Sequence, residues 1–162
     1  MNKIFEGMKM KFRIFDRIHK HIWMVGEYQH DSFYTWEDNQ VSYYNYQTGE
    51  PSILPGEELP DDGSGYILMR YTGKLDMAGT EVFEGDVIEN PDGVQMEIRY
   101  GIYQAYCPVD RCFMDSIGFY ATGSGLPEMP VGCLEDYAVV IGNIWENPEL
   151  KVGDTNGKSS QI

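Results

Sequence analysis

Residues 8–14, MKMKFRI, alternate apolar and basic side chains with a period of two, the spacing of a strand with one buried face. Met8, Met10, Phe12 and Ile14 form the inward set. The following FDRIHKHIWMV predicts a turn centred near Asp16 to His19 and a return strand over 22–25, closed by Gly26, so that 8–26 make a hairpin. From 27 to 65 the periodicity dissolves into a variable region that is aromatic at first, then acidic and rich in Pro and Gly. PGEELPDDGSG within it reads as a surface loop.

YILMRYTG restores a strand, with a turn beginning at Gly73. A second turn is expected at 77–79, a short strand at 81–83, and Gly85-Asp86 introduces a strand over 87–89, with Asp86 placed to bond nearby main-chain amides and fix the bend. NPDG is a turn signal, and GVQMEIRYG alternates again, with Val94, Met96 and Ile98 on one face and Gln95, Glu97 and Arg99 on the other. Beyond Gly101 the pattern predicts short aromatic strands cut by Gly and Pro, a short helix around 134–137, and a buried strand at 138–141. The alternation of tight turns and short strands is what a small, strongly bent barrel of the SH3 type requires. The expected fold is therefore mainly β with little helix: one domain over 1–150, made of the N-terminal hairpin, the variable 27–65 region and a barrel-like core at 66–150. A disordered tail is expected over 151–162.

Charge sharpens this picture. The chain of 162 residues carries a net charge of −14, yet six of its twelve basic residues (Lys3, Lys9, Lys11, Arg13, Arg17, Lys20) lie in the first twenty positions. No Lys or Arg occurs from His21 to Met69, nor from Cys112 to Leu150. Such a surface repels phosphate and anionic membrane, so neither nucleic acid nor membrane is an expected partner. No run reaches the eighteen or more apolar residues of a spanning helix, and the N-terminus lacks a signal-peptide core; the expected location is the cytoplasm of a bacterial host.

Candidate chemistry is sparse. Cys107, Cys112 and Cys133 suit neither a disulfide framework nor a zinc knuckle and read as reduced thiols. A metal held by Cys107 and Cys112 would need a distant histidine, His19, His21 or His30, and a Cys-His nucleophile would need the same tertiary meeting. The aromatics Phe33, Tyr34, Trp36, Tyr43, Tyr44 and Tyr46 suit a stacking surface or, the reading favoured for want of accompanying basic residues, packing onto the sheet. Carboxylate pairs such as Glu84 with Asp86 or Asp61 with Asp62 arise by chance among 26 acidic residues, and Asp86 is more naturally a turn cap. No nucleophile elbow, phosphate loop or dinucleotide fingerprint is present. No catalytic, metal-ligating or cofactor-binding residue is assigned, and no cofactor is expected.

Three stretches, KMKFRIFDRIHKHIWMV, YILMRYTGKLDMAGTEVFEGDVIEN and VVIGNIWENPEL, fall in an order that resembles the YopX-like proteins of bacteriophages and prophages. The resemblance rests on the opening at 11–16, on Tyr71 to Gly73, on Asp76 to Gly79, on Glu84, Gly85 and Asp86, and on the closing segment with Gly142, Asn143, Glu146, Asn147 and Pro148. It implies a mostly β fold with a small barrel, a tendency to form homo-oligomers, and no established activity. The motif residues read as turn formers and core residues. The leading expectation is a non-enzymatic phage accessory protein that assembles with itself or with a host or phage protein. The alternatives are an acidic inhibitor that imitates DNA to occupy a host nucleic-acid-binding protein and, more weakly, a carboxylate-dependent hydrolase.

Overall fold

The computed structural model describes residues 11–17, 19–24, 31–35, 41–45, 50–51, 66–132, 134–150 and 152, of which 23, 31–35, 41–45, 50–51 and 66 are described by their backbone alone. Two compact units divide the chain, 1–71 and 72–162.

In the first unit, β1 (Phe12–Asp16) pairs antiparallel with β2 (His21–Met24), and Ile14 sits opposite Trp23. The turn between them runs through Lys20, at φ +53°, one residue later than Asp16 to His19. The basic and apolar alternation that predicts β1 holds for Ile14, which is fully buried, but Phe15 and Asp16 are buried as well, so the end of this strand is covered on both faces. A buried carboxylate needs partners. Asp16 accepts the backbone N–H of His19 at 3.1 Å and contacts its imidazole Nδ1 at 2.7 Å. β3 (Asp31–Thr35), β4 (Val41–Asn45) and β5 (Glu50–Pro51) form a separate three-stranded sheet, with Phe33 opposite Tyr43.

β6 (Tyr66–Leu75) runs past residue 71, where the units divide; in the first unit it pairs with β1, Leu68 opposite Ile14, and in the second it neighbours β7 (Glu81–Phe83). The strand does not turn at Gly73 as expected. The strand runs on to Leu75 with Gly73 at φ +78°, and the Thr72 hydroxyl donates to the carbonyl of Val82 at 2.8 Å and accepts from the amide of Lys74 at 3.1 Å.

The second unit is built on a five-stranded sheet. Its members are β8 (Asp86–Glu89), β9 (Gln95–Cys107), β10 (Cys112–Thr122), β11 (Met129–Pro130) and β12 (Val139–Asn143), in the order β11-β10-β9-β8-β12. A 3-10 turn at Leu134–Asp136 supplies the short helical segment foreseen there. One face of the sheet meets the core, a cluster of Val82, Ile88, Met96, Ile98, Ala121, Leu134 and Ala138, all buried. Every residue of this set is apolar and close-packed, so each of its larger side chains contributes roughly 1.5–3 kcal/mol of burial. The fold class is mostly β, and among the described residues helix is confined to two 3-10 turns.

Two expectations are corrected by the strand lengths. Short strands broken at Gly101 are replaced by a long hairpin, thirteen residues of β9 against eleven of β10. The glycine does not break the strand because Gly118 stands directly opposite it and both keep an extended path. The strand at 138–141 starts one residue late and runs through Gly142, with Ile141 turned outward. Val140 pairs with Ile88 and Gly142 with Val87, so Ile141 is the extra residue of a β-bulge and leaves the buried face.

Candidate functional site

The residues singled out in the sequence gather at three turns of the second unit and at one strand of the first. Tyr71 donates its amide to the carbonyl of Lys11 at 2.9 Å, and the Lys11 ammonium lies 5.6 Å from the centre of its ring. Gly73 lies within β6, and Gly79 closes the following turn by donating to the carbonyl of Asp76 at 3.0 Å.

Asp76 is the centre of that turn. Its Oδ1 accepts the amides of Ala78 at 2.9 Å and Thr80 at 2.8 Å, while Oδ2 accepts the amide of Val140 at 2.8 Å from a strand 64 residues away. Burial pushes this carboxyl up, but hydrogen bonds from Val140, Thr80 and Ala78 favour the ionised form more strongly, and the net effect lowers its pKa below the ordinary value.

At the next turn Asp86 is buried and accepts the amide of Phe83 at 2.8 Å. Glu84, two residues before it, is half-buried. Gly85 donates to Ile98 at 2.8 Å and accepts from Ile144 at 2.9 Å, which ties this turn to both β9 and the closing segment.

The closing segment folds on itself. Asn143 Oδ1 accepts the amides of Trp145 and Glu146, its Nδ2 donates to the Glu146 carboxylate at 2.8 Å, and Asn147 Oδ1 accepts the amide of Asn143 at 3.3 Å. Pro148 begins the second 3-10 turn, Pro148–Leu150. Gly142 is packed so tightly that a Cβ there would stand 2.5 Å from Asn147 Oδ1. The side-chain oxygens of Asp76, Asp86, Asn143 and Asn147 thus accept main-chain amides, and the Asn143 amide group bonds the Glu146 carboxylate, so these residues act on the fold of their own turns.

Among the described residues no group of three or more His, Cys, Asp or Glu is placed to hold a metal ion, and no helix is long and apolar enough to cross a membrane. Asp61, Asp62, His30, Trp36 and Tyr46 lie outside the described residues, as do the side chains of Phe33, Tyr34, Tyr43 and Tyr44.

The feature that sequence reasoning missed is the β9–β10 arm. Residues directly opposite in an antiparallel pair share a face. Outward from the core pair Ile98 and Ala121, the same face carries Tyr100 with Phe119, Ile102 with Ile117, Gln104 with Asp115, and Tyr106 with Phe113. Tyr100 and Phe119 meet edge to face at 4.9 Å, and Tyr106 and Phe113 are tilted at 5.3 Å. Past Phe119 this ladder has no cover: Ile102 is 68% exposed and Ile117 76%. The core-facing side of the sheet thus continues into solvent as an apolar strip interrupted by one polar pair, in which Gln104 donates to Asp115. On the opposite face Tyr103 stacks on Tyr120 at 5.0 Å, and Arg99 makes two 3.0 Å bonds to the buried carboxylate of Glu97, which holds the guanidinium above its ordinary pKa.

The sequence pattern of the family described as "YopX protein" matches residues 11–150. No curated protein matches the chain. A solved structure, titled "Crystal structure of protein EF1440 from Enterococcus faecalis", is similar at 24% identity and a TM-score of 0.48, over 87% of this chain and 96% of that one.

Proposed function

The chain belongs to the YopX family, and on that footing we propose that it is a non-enzymatic, phage-encoded accessory protein that works by assembling with copies of itself through the β9–β10 arm. The observation that carries this reading is the uncovered apolar strip of Tyr100, Ile102, Tyr106, Phe113 and Ile117. Soluble proteins rarely leave a contiguous patch of this kind without a use for it.

Area and pattern favour a second copy as the occupant. Five large side chains that are 44–76% exposed offer roughly 500–600 Å² per chain, most of the ~800 Å² that each partner contributes to a standard interface. Aromatic stands across from aromatic and isoleucine across from isoleucine, so the strip is apolar on both of its strands. The strip carries a single charge, Asp115, on a chain whose net charge is −14; two copies meeting here bring few like charges together. The outer edges of the hairpin beyond its short pairings with β8 and β11 add backbone donors and acceptors that a neighbour can use.

The test is light scattering across a dilution series, on the unaltered chain and on Ile102→Lys and Ile117→Lys. A concentration-dependent oligomer that falls to the monomer mass in both variants supports the reading. A monomer at every concentration of the unaltered chain overturns it, and an oligomer indifferent to both substitutions moves the interface elsewhere.

A further inference from the structure

We propose that Cys107 and Cys112 form a reversible redox site at the tip of the β9–β10 arm, two thiols that a small-molecule disulfide such as oxidised glutathione converts to an intramolecular disulfide. The two residues are directly opposite in the ladder, so their Cβ atoms project from the same face. Both are free thiols, Cys107 partly exposed and Cys112 exposed.

Their spacing follows from the hydrogen-bond alternation. The amide of Gln104 donates to the Glu128 carboxylate at 2.7 Å instead of to β10, which makes Gln104 and Asp115 a non-hydrogen-bonded pair. Antiparallel pairs alternate, and Cys107 lies three positions further on, so Cys107 and Cys112 are a hydrogen-bonded pair with Cα atoms about 5.5 Å apart. A disulfide spans Cα separations of ~4.4–6.8 Å and Cβ separations of ~3.5–4.5 Å. Closure therefore draws the two Cβ atoms in by about 1 Å from the spacing of such a pair, a movement that the last residues of a hairpin beside its turn can make. The tip between them, 108–111, is a four-residue turn closed by Arg111 at φ +53°. Only the weak contact from the Cys107 thiol to Asp110 Oδ2, at 3.5 Å, is given up.

The chemistry balances as two exchanges. One thiolate attacks the glutathione disulfide, forming a mixed disulfide and releasing one glutathione thiol. The second thiolate then attacks the protein sulfur of that bond and releases the other. Two protein thiols are oxidised, one disulfide is reduced, and both protons end on glutathione. An exposed cross-link of this kind is readily reversed by a reduced thiol.

The experiment treats the full chain carrying Cys133→Ser with oxidised glutathione, blocks remaining thiols, and maps tryptic peptides without reduction. Cleavage after Arg99, Arg111 and Lys151 leaves Cys107 in 100–111 and Cys112 in 112–151, so the internal link appears as two joined peptides from a protein of monomer mass. The expected result is that joined pair in roughly tenfold excess over glutathione adducts, because two thiols on one ribbon meet at a high effective concentration. The unaltered chain is mapped beside it and is expected to show the same link with Cys133 still free. Thiols that stay reduced, stable adducts on both cysteines, or a link between two chains would overturn the assignment. None of these readouts depends on whether the arm assembles.

Discussion

Gly101 faces Gly118 directly across the β9–β10 ladder, and the two hold nearly equal backbone angles, φ +151° and +152°. A Cβ at either position meets nothing within 4 Å, so the requirement for glycine is conformational and not steric crowding by neighbours. The glycine pair sits where the covered sheet becomes the uncovered arm.

Gly101→Val and Gly118→Val are each expected to cost about 1–3 kcal/mol, the strain of placing a β-branched residue in a region that only glycine occupies readily. Urea unfolding measures it. Because the residues are opposed, the double variant is expected to depart from the sum of the singles, and strict additivity would show that the two angles are not coupled.

Asp76→Asn tests the turn that reaches β12. Asparagine retains an oxygen for Ala78 and Thr80 but presents an amide donor to the Val140 N–H, donor against donor. The expected loss is roughly 2–3 kcal/mol, read by thermal or chemical unfolding. A change below half a kcal/mol would mean that the Val140 bond contributes nothing net.

The same carboxylate sets a pH dependence. Its pKa is lowered in the folded chain, so the stabilisation it provides is complete above the unfolded value near 4 and is lost as the pH falls through the folded one. Stability measured from pH 6 down to pH 2 is expected to fall along a limb that is shallower in Asp76→Asn. Parallel curves for the two proteins would remove Asp76 as a contributor to that limb.

Gly142→Ala brings a methyl group within 2.5 Å of Asn147 Oδ1 and 2.8 Å of a Leu150 methyl. The expected cost is about 1–3 kcal/mol from overpacking. Asn147→Ala in the same chain removes the nearer clash and is expected to recover part of that loss; a double variant weaker than the sum of the two singles would place the strain elsewhere.

Much of the β architecture is legible in residue order because period-two alternation and turn chemistry are local. KFRIF and VQMEIRY alternate over one face, and the chain forms strands there. The Asp86 carboxylate can be placed on a nearby amide because the partner, Phe83, is only three residues away. Asp76 shows the limit, since two of its bonds are local and the third goes to Val140, which no local pattern announces. The arm was illegible for a different reason. Gly101 and Gly118 look like strand breakers until their opposition is known, and IYQAY alternates identically whether its apolar face is covered or bare. Ile141 likewise reads as core until the bulge rotates it out.

The bond from Val140 to Asp76, with the neighbouring one from Met77 to the carbonyl of Ala138 at 2.9 Å, also bears on synthesis. Ribosomes deliver a chain from its N-terminus, and domains acquire structure as soon as their parts have emerged. A nascent chain ending before Val139 carries β7 to β11 yet lacks β12, one of the two strands paired with β8, and the Val140 amide that donates to Asp76. Protease resistance of that unit is therefore expected to appear only once residues 139–150 have cleared the exit tunnel. Chains arrested before and after that point, probed by limited proteolysis, would show the step, and resistance in the shorter one would show that the last strand is dispensable for closure.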